Sequence, residues 1–226
     1  MFQNEPFQGD KKVGLSLLGK WEKKIVEKYT PKIPRCIETY HLTLTTLLWC
    51  AIIIVCGYLA QYNFHWLWGT SVAIALQYST DLFDGAVGRY RDTGLIRWGY
   101  YMDHFLDYIF LCSILIGYSF TLQDRFNTLF FTLAIFGAYM VNSYLAFAAT
   151  NRFKIAFFKI GPTEMRLAFI ITNTLLIIFQ KTYLAWTLPA IFWLSLIGLA
   201  VVVYSTQKQI WAIDMAEKKA KQKTTA

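Results

Sequence analysis

Charge is what this sequence has little of. Asp, Glu, Lys and Arg make up 16% of its 226 residues, where an ordinary soluble domain carries about 25%. That scarcity excludes a disordered, solvated chain. Cysteine is sparse too. Cys36, Cys50, Cys56 and Cys112 form no CxxC and no Cys/His metal spacing, which argues against a zinc module or a disulfide-stapled scaffold. Three of the four fall in apolar stretches, where buried reduced thiols are the plain reading. Residues 1–40 are polar and charged and lack an apolar h-region, so no secretory signal peptide is expected. Internal repeats, low-complexity tracts and a second domain are also missing.

What is abundant is apolar surface. Hydrophobic residues reach 56% and aromatics 18%. One small soluble core cannot enclose that many apolar side chains. The composition therefore predicts a polytopic membrane protein. Six stretches are long enough to cross, or nearly cross, a bilayer as helices: 42–60, 65–83, 98–121, 127–149, 167–180 and 184–205. The fifth is short, which predicts tilt, extension by the loop before it, or pairing with a thinner part of the bilayer. Tyr and Trp near the span ends fit an aromatic belt.

The basic residues set the orientation. Twenty of the 22 lie before span one, between spans two and three, between spans four and five, or after span six; Arg125 and Lys181 are the exceptions. By the positive-inside rule both termini are cytoplasmic. The formal charge of +8 is then orientation plus attraction to anionic lipid. No basic–aromatic groove pattern accompanies it, so no nucleic-acid partner is expected. Within 13–30, Val13, Leu15, Leu17, Leu18, Trp21, Ile25 and Val26 fall mostly on one helical face, with Lys20, Lys23, Lys24 and Lys28 off it. This suits a helix lying in the cytoplasmic interface, or one docked on the cytoplasmic ends of the bundle. The expected fold is all-α: a cytoplasmic segment with this amphipathic helix over 1–40, a six-helix transmembrane catalytic domain over 41–206, and a basic tail over 207–226 that continues span six.

Five of the 14 acidic residues crowd into 27 positions: Asp81, Asp84, Asp92, Asp103 and Asp107. Carboxylates at membrane depth are costly and are functional candidates by default. At about 100° per residue, Asp81, Asp84, Gly85 and Gly88 share one arc of a helix, and Gly99, Asp103 and Asp107 form a stripe on the next. A short loop makes the two helices antiparallel neighbours. Four carboxylates then converge at the cytoplasmic end, beside glycines that admit a ligand to the backbone, with Arg89 the base in reach of the first stripe. Carboxylate oxygens suit Mg²⁺ or Mn²⁺. Two such ions would bridge a pyrophosphate. Interhelical salt bridges to Arg89, Arg91 and Arg97 are the plain alternative, but they do not require the glycines.

Asp81-Leu-Phe-Asp84-Gly85-Ala-Val-Gly88-Arg89, nine residues, then Gly99-Tyr-Tyr-Met-Asp103-His-Phe-Leu-Asp107 resembles the CDP-alcohol phosphotransferase signature DxxDGxxAR…GxxxDxxxD. Seven of the eight defining positions match; Gly88 stands where the family usually has Ala. The resemblance extends over about 40–206. It implies transfer of a phosphatidyl or phospho-alcohol group from a CDP-linked donor to an acceptor hydroxyl in phospholipid synthesis, with release of CMP. It implies that Asp81, Asp84, Asp103 and Asp107 hold two Mg²⁺ or Mn²⁺ ions and that Asp107 is also the general base. Gly85, Arg89 and Gly99 would hold the CDP moiety. It further implies a homodimer among membrane lipids. The position of the acids at the cytoplasmic end puts the site facing the cytoplasm, and the absence of extra domains favours a bacterial or archaeal cell membrane.

Weaker signals surround the motif. Thr43 matches a family threonine near the nucleotide, but Tyr40 stands where Asn is expected. His104 follows Asp103, as a His does in the choline and ethanolamine phosphotransferases. It would line the acceptor side or pack against a neighbouring span. Gly161-Pro162-Thr163-Glu164-Met165-Arg166 reads as a helix start and is similar to the Gly-x-Thr-Glu stretch of the aminoalcohol enzymes. Arg152, Lys154, Lys159 and Arg166 fit either an acceptor phosphate or the positive-inside bias. Asn142 and Asn173 are interhelical hydrogen-bonding groups or site residues. Two rival readings use the same acids: an intramembrane prenyltransferase holding Mg²⁺-pyrophosphate, and a cation transporter. The aspartate spacing disfavours the first. The position of the acids towards one membrane face disfavours the second.

Overall fold

The computed structural model describes residues 19–122, 127–151, 161–180 and 184–224. Residues 13–18 of the amphipathic stretch, Arg125 and Lys181, and Arg152, Lys154 and Lys159 lie outside them. The described residues form seven α-helices: α1 Gly19–Tyr29, α2 Thr39–Ala60, α3 Leu67–Arg91, α4 Ile96–Ser119, α5 Thr128–Thr150, α6 Pro162–Phe179 and α7 Leu184–Thr224. Four of them, α2, α5, α6 and the 187–222 part of α7, are long and apolar enough to cross a membrane. With 25 and 24 residues, α3 and α4 have the length as well. They also carry the charged residues of the acidic motif, which lowers their mean hydropathy.

The ends follow local chemistry. Helices α3, α5 and α6 stop at left-handed residues, Asp92, Asn151 and Gln180, the conformation that closes many helix C-termini. Gly94, at φ 70°, turns the chain from α3 into α4. The fifth apolar stretch is extended as expected. Helix α6 starts at Pro162, whose missing N–H costs nothing in the first turn, and the Glu164 carboxylate accepts from the Gly161 N–H at 2.8 Å. Hydropathy missed this turn because Glu164 and Arg166 lie in it. Helix α7 runs 41 residues through Pro189, far past the apolar stretch, because its Lys-, Gln- and Ala-rich continuation favours helix.

The centre of the bundle is α2 packed on α3 and α4, with α6 against α3 and α5 against α7. Ile53, Ile74, Leu67 and Ile114 are almost fully enclosed there. Asn173 ties three helices: its side-chain amide donates to Ser71 Oγ at 3.1 Å, and its carbonyl accepts from Tyr118 OH at 2.8 Å. It is therefore an interhelical hydrogen-bonding group. Asn142 meets Thr206 at 3.5 Å, which joins α5 to α7.

Gly57 and Gly117 let α2 and α4 touch backbone to backbone. A Cβ on Gly57 would stand 2.5 Å from Gly117 Cα, whereas a Cβ on Gly117 would first meet Ile53 O at 3.4 Å. Overpacking of this kind costs about 1–3 kcal/mol. Gly57→Ala is therefore expected to lower the melting temperature in detergent by several degrees, with Gly117→Ala near wild type. Equal melting of the two would show that the crossing is not this tight.

Helix α1 is docked rather than merely lying nearby. Glu22 Oε1 accepts from Tyr78 OH at 2.9 Å and from Thr163 Oγ1 at 2.7 Å. Trp21, Ile25 and Tyr29 are exposed and face away from the bundle, whereas Val26 is half-buried. Of the two expectations for this helix, the docked one is what these contacts show: Glu22 faces the bundle.

Candidate functional site

The acidic motif sits where α3, α4, α6 and the start of α2 meet. Helical spacing puts Asp81, Asp84, Gly85 and Gly88 on one face of α3. Asp84 is buried, at 7% exposure. Its Oδ2 accepts from Thr43 Oγ1 at 2.9 Å, and its Oδ1 from the Gly85 N–H. A buried carboxylate needs such donors. The matching threonine on α2 is therefore part of the site. Tyr40 is exposed. His41 accepts from the Glu38 N–H at 3.1 Å, which makes it a helix cap.

The glycines differ in what faces them. The space a Cβ would take at Gly85 lies 3.2 Å from a guanidinium nitrogen of Arg89. That side chain folds back over the glycine one turn away. At Gly88 a Cβ would approach Thr39 Oγ1 to 3.1 Å. The family's usual Ala would need Thr39 to shift a little, and glycine removes the need. At Gly99 a Cβ would meet nothing within 4 Å, so a ligand has room at that backbone.

Arg89 was expected to be the only base in reach of the first stripe. It does lie over Gly85 of that stripe, but among the described residues a second base, Arg166 on α6, also reaches the acids. Its Nη2 donates to Asp81 Oδ2 at 2.9 Å and to Asp107 Oδ1 at 3.1 Å, and its Nε to Gln77 Oε1 at 2.9 Å. Phe110 and Tyr78 lie against the guanidinium at 5.5 and 5.8 Å. At 6% exposure this is a buried network. Arg91, considered as a partner for the acids, instead holds the segment before α2: it donates to the carbonyls of Ile37, Ile33 and Pro34 at 2.6, 3.0 and 3.0 Å.

On α4, Asp103 meets His104 Nδ1 at 3.4 Å. His104 is buried between two rings, edge-on to Tyr100 at 4.4 Å and stacked with Tyr144 at 5.7 Å. It packs, and it also lines a cavity beside Asp107. This cavity, of about 510 Å³, runs between α4, α5, α6 and α7.

In kind, the donor set fits a hard divalent cation: it is all carboxylate, and Asp81 and Asp107 already share one cationic group. As arranged, no group of three or more acid, His or Cys side chains among the described residues is placed to hold a metal ion together. Arg166 occupies one oxygen of each of two of these carboxylates, Asp81 Oδ2 and Asp107 Oδ1.

A bundle of apolar helices with a shared acidic site at one end defines an integral membrane protein. The chain belongs to the CDP-alcohol phosphatidyltransferase family, whose model matches residues 39–213. That places it among transferases of phosphate-containing groups that use a CDP-alcohol donor and a hydroxyl acceptor in membranes. The match covers α2 to most of α7, every element that builds the site. Among curated proteins and solved structures, none matches the chain.

Proposed function

We propose that the chain transfers a substituted phosphate group from a CDP-linked donor to an acceptor hydroxyl, releasing CMP, at the junction of α3, α4 and α6. The observation that carries this reading is the convergence of Asp81 and Asp107, from the two halves of the family motif, on one cationic point. Asp81, Asp84, Asp103 and Asp107 would hold Mg²⁺ or Mn²⁺, which neutralises charge on the donor diphosphate when bound. Arg89, beside Gly85, binds a phosphate oxygen of the CDP moiety, and Gly99 admits it to the backbone. Thr43 fixes the orientation of Asp84.

Asp107 is the general base. It takes the proton of the acceptor hydroxyl as that oxygen attacks the β-phosphorus of the donor. One oxygen–phosphorus bond forms, the bond between the β-phosphorus and the CMP oxygen breaks, and CMP leaves with the electron pair. In this reading α2 to α7 are the six spans. The basic loops and both termini are cytoplasmic, as is the site. The protein is a homodimer in a bacterial or archaeal cell membrane.

The test is thermal stability of the purified chain in lipid micelles with Mg²⁺, with added CDP, prenyl diphosphate or neither. Ligand at a hundred times its Kd stabilises by about 2.7 kcal/mol, so CDP is expected to raise the melting temperature by roughly 5 °C. No response to CDP with a clear response to prenyl diphosphate overturns the reading in favour of prenyl transfer.

A further inference from the structure

The cavity beside Asp107 has a shape and a polarity of its own. Its wall on α4 runs from His104 to Tyr118 and its wall on α5 from Leu129 to Tyr144. At ~1.5 Å per residue these walls are about 21 and 22 Å long. The volume of about 510 Å³ is thus drawn into a slot. A bilayer leaflet has about 15 Å of hydrocarbon, half of a ~30 Å core, so the slot can take the length of an acyl chain. One end holds Asp107, Arg166 and His104. The opposite end is Leu122 and Leu129.

Seven hydroxyls occur along the walls, Ser195 among them, and the other six are turned to the protein. Tyr139 OH donates to Ser195 O, Tyr144 OH to His104 O, and Tyr118 OH to Asn173. Thr132, Ser143 and Thr172 each donate to the carbonyl one turn before them. The slot therefore presents carbon along its length and polar groups at its Asp107 end. A polyol would find few partners for its hydroxyls there. An anionic alcohol would meet Arg166 already paired with two carboxylates, Asp81 and Asp107.

Position says which substrate the slot serves. Asp107 lines it, and the residues assigned to the CDP moiety, Gly85, Arg89 and Gly99, do not. The slot lies on the acceptor side of the site.

We propose that this slot is the acceptor site and that the acceptor is a lipid alcohol, a glycerolipid with a free hydroxyl, whose acyl chain lies between α4, α5, α6 and α7 with the hydroxyl at Asp107. The proposal rests on the reading of Asp107 as the base. It makes the donor a CDP-linked polar head group. The lipid oxygen bonds to the β-phosphorus, the bond to CMP breaks, the lipid proton goes to Asp107, and the products are a phospholipid and CMP. The chain leaves one apolar medium for another, so the slot contributes placement more than affinity.

The test uses the full-length protein in lipid nanodiscs and a diacylglycerol carrying a diazirine in one acyl chain. After illumination, labelled peptides are mapped with and without excess plain diacylglycerol. Labelling is expected on the α5 and α7 walls, around Phe136, Met140 and Leu188, and the competitor is expected to suppress it. Ala168→Trp and Thr172→Phe, which fill the slot, should cut that labelling about tenfold while the CDP-dependent rise in melting temperature persists. Competed labelling only outside the slot overturns the proposal. So does undiminished labelling in a filled variant that still responds to CDP. CMP release from CDP-diacylglycerol with glycerol phosphate or inositol phosphate, at wild-type rate in the filled variants, overturns it as well. A wild-type protein that ignores CDP fails the reading of the function instead, which keeps the two failures apart.

Discussion

Asp107→Asn is expected to lower CMP release by a factor of about 10²–10⁴, the usual contribution of a positioned general base. The substitution keeps the shape of the side chain and removes its ability to take a proton. Asp107 is half-buried on α4, 3.1 Å from Arg166 Nη2 and at the polar end of the slot. Asn can still offer its amide oxygen to Arg166, so the helix junction survives, and the CDP-dependent rise in melting temperature should survive with it. The measurement pairs initial rates of CMP release with melting curves on one preparation. A loss of rate with the CDP response intact is the signature of lost proton transfer. A wild-type rate sinks the assignment of the base, and loss of both readouts would show that the metal-holding role of Asp107 governs CDP binding and leave its role as base without support. Asp84→Asn makes a useful contrast. Asp84 is buried and accepts from Thr43 and the Gly85 N–H. An amide there keeps one acceptor and turns a donor towards another donor, so the CDP response should fall along with the rate.

The acid face of α3 was legible because one helix repeats every 3.6 residues. Four positions at that spacing, two of them glycine, identify a face without knowledge of its neighbours. The acid stripe of α4 was legible for the same reason, and the short loop fixed the two helices as partners. Arg166 was named among the basic residues but not placed. It lies 85 residues from Asp81 and 59 from Asp107, and periodicity within one helix says nothing about which distant helix supplies a cation. Its own surroundings pointed elsewhere, since Pro162 and Glu164 make a sufficient helix start and a basic loop suffices for orientation. The useful signal was an arginine inside the first turns of an apolar helix, where burial without an acid partner is too costly to persist. The slot was invisible for a related reason. It is a gap between four helices, and its polar wall groups look like possible contacts until their hydrogen bonds to the protein are seen. Glu22 shows the same limit at the surface. Amphipathicity located the apolar side of α1, and the structure was needed to show that its glutamate reaches Tyr78 and Thr163.

Arg166→Gln is expected to expose how the site is held together without metal. The guanidinium is 6% exposed and bridges Asp81, Asp107 and Gln77. Removing one partner of a buried ion pair costs about 3–5 kcal/mol, because the charges left behind lose the cation that bridged them. In EDTA the variant should melt roughly 10 °C below wild type, at 2–4 °C per kcal/mol for a chain of this size. Added Mg²⁺ should then raise its melting temperature by more than it raises that of wild type. In wild type an entering ion competes with a cation that Asp81 and Asp107 already hold. In the variant it meets two carboxylates that repel each other, and it relieves that repulsion on binding. Glutamine keeps roughly the volume of the side chain's stem, so lost packing explains only part of the deficit and would not respond to the ion. The comparison is four melting curves, wild type and variant, each in EDTA and in Mg²⁺. A variant that melts with wild type in EDTA would show that the bridge does not support the fold. A deficit that Mg²⁺ leaves unchanged would show that Asp81 and Asp107 do not take up the ion. A deficit that Mg²⁺ closes would make Arg166 the group that holds the two acids in place until the metal arrives.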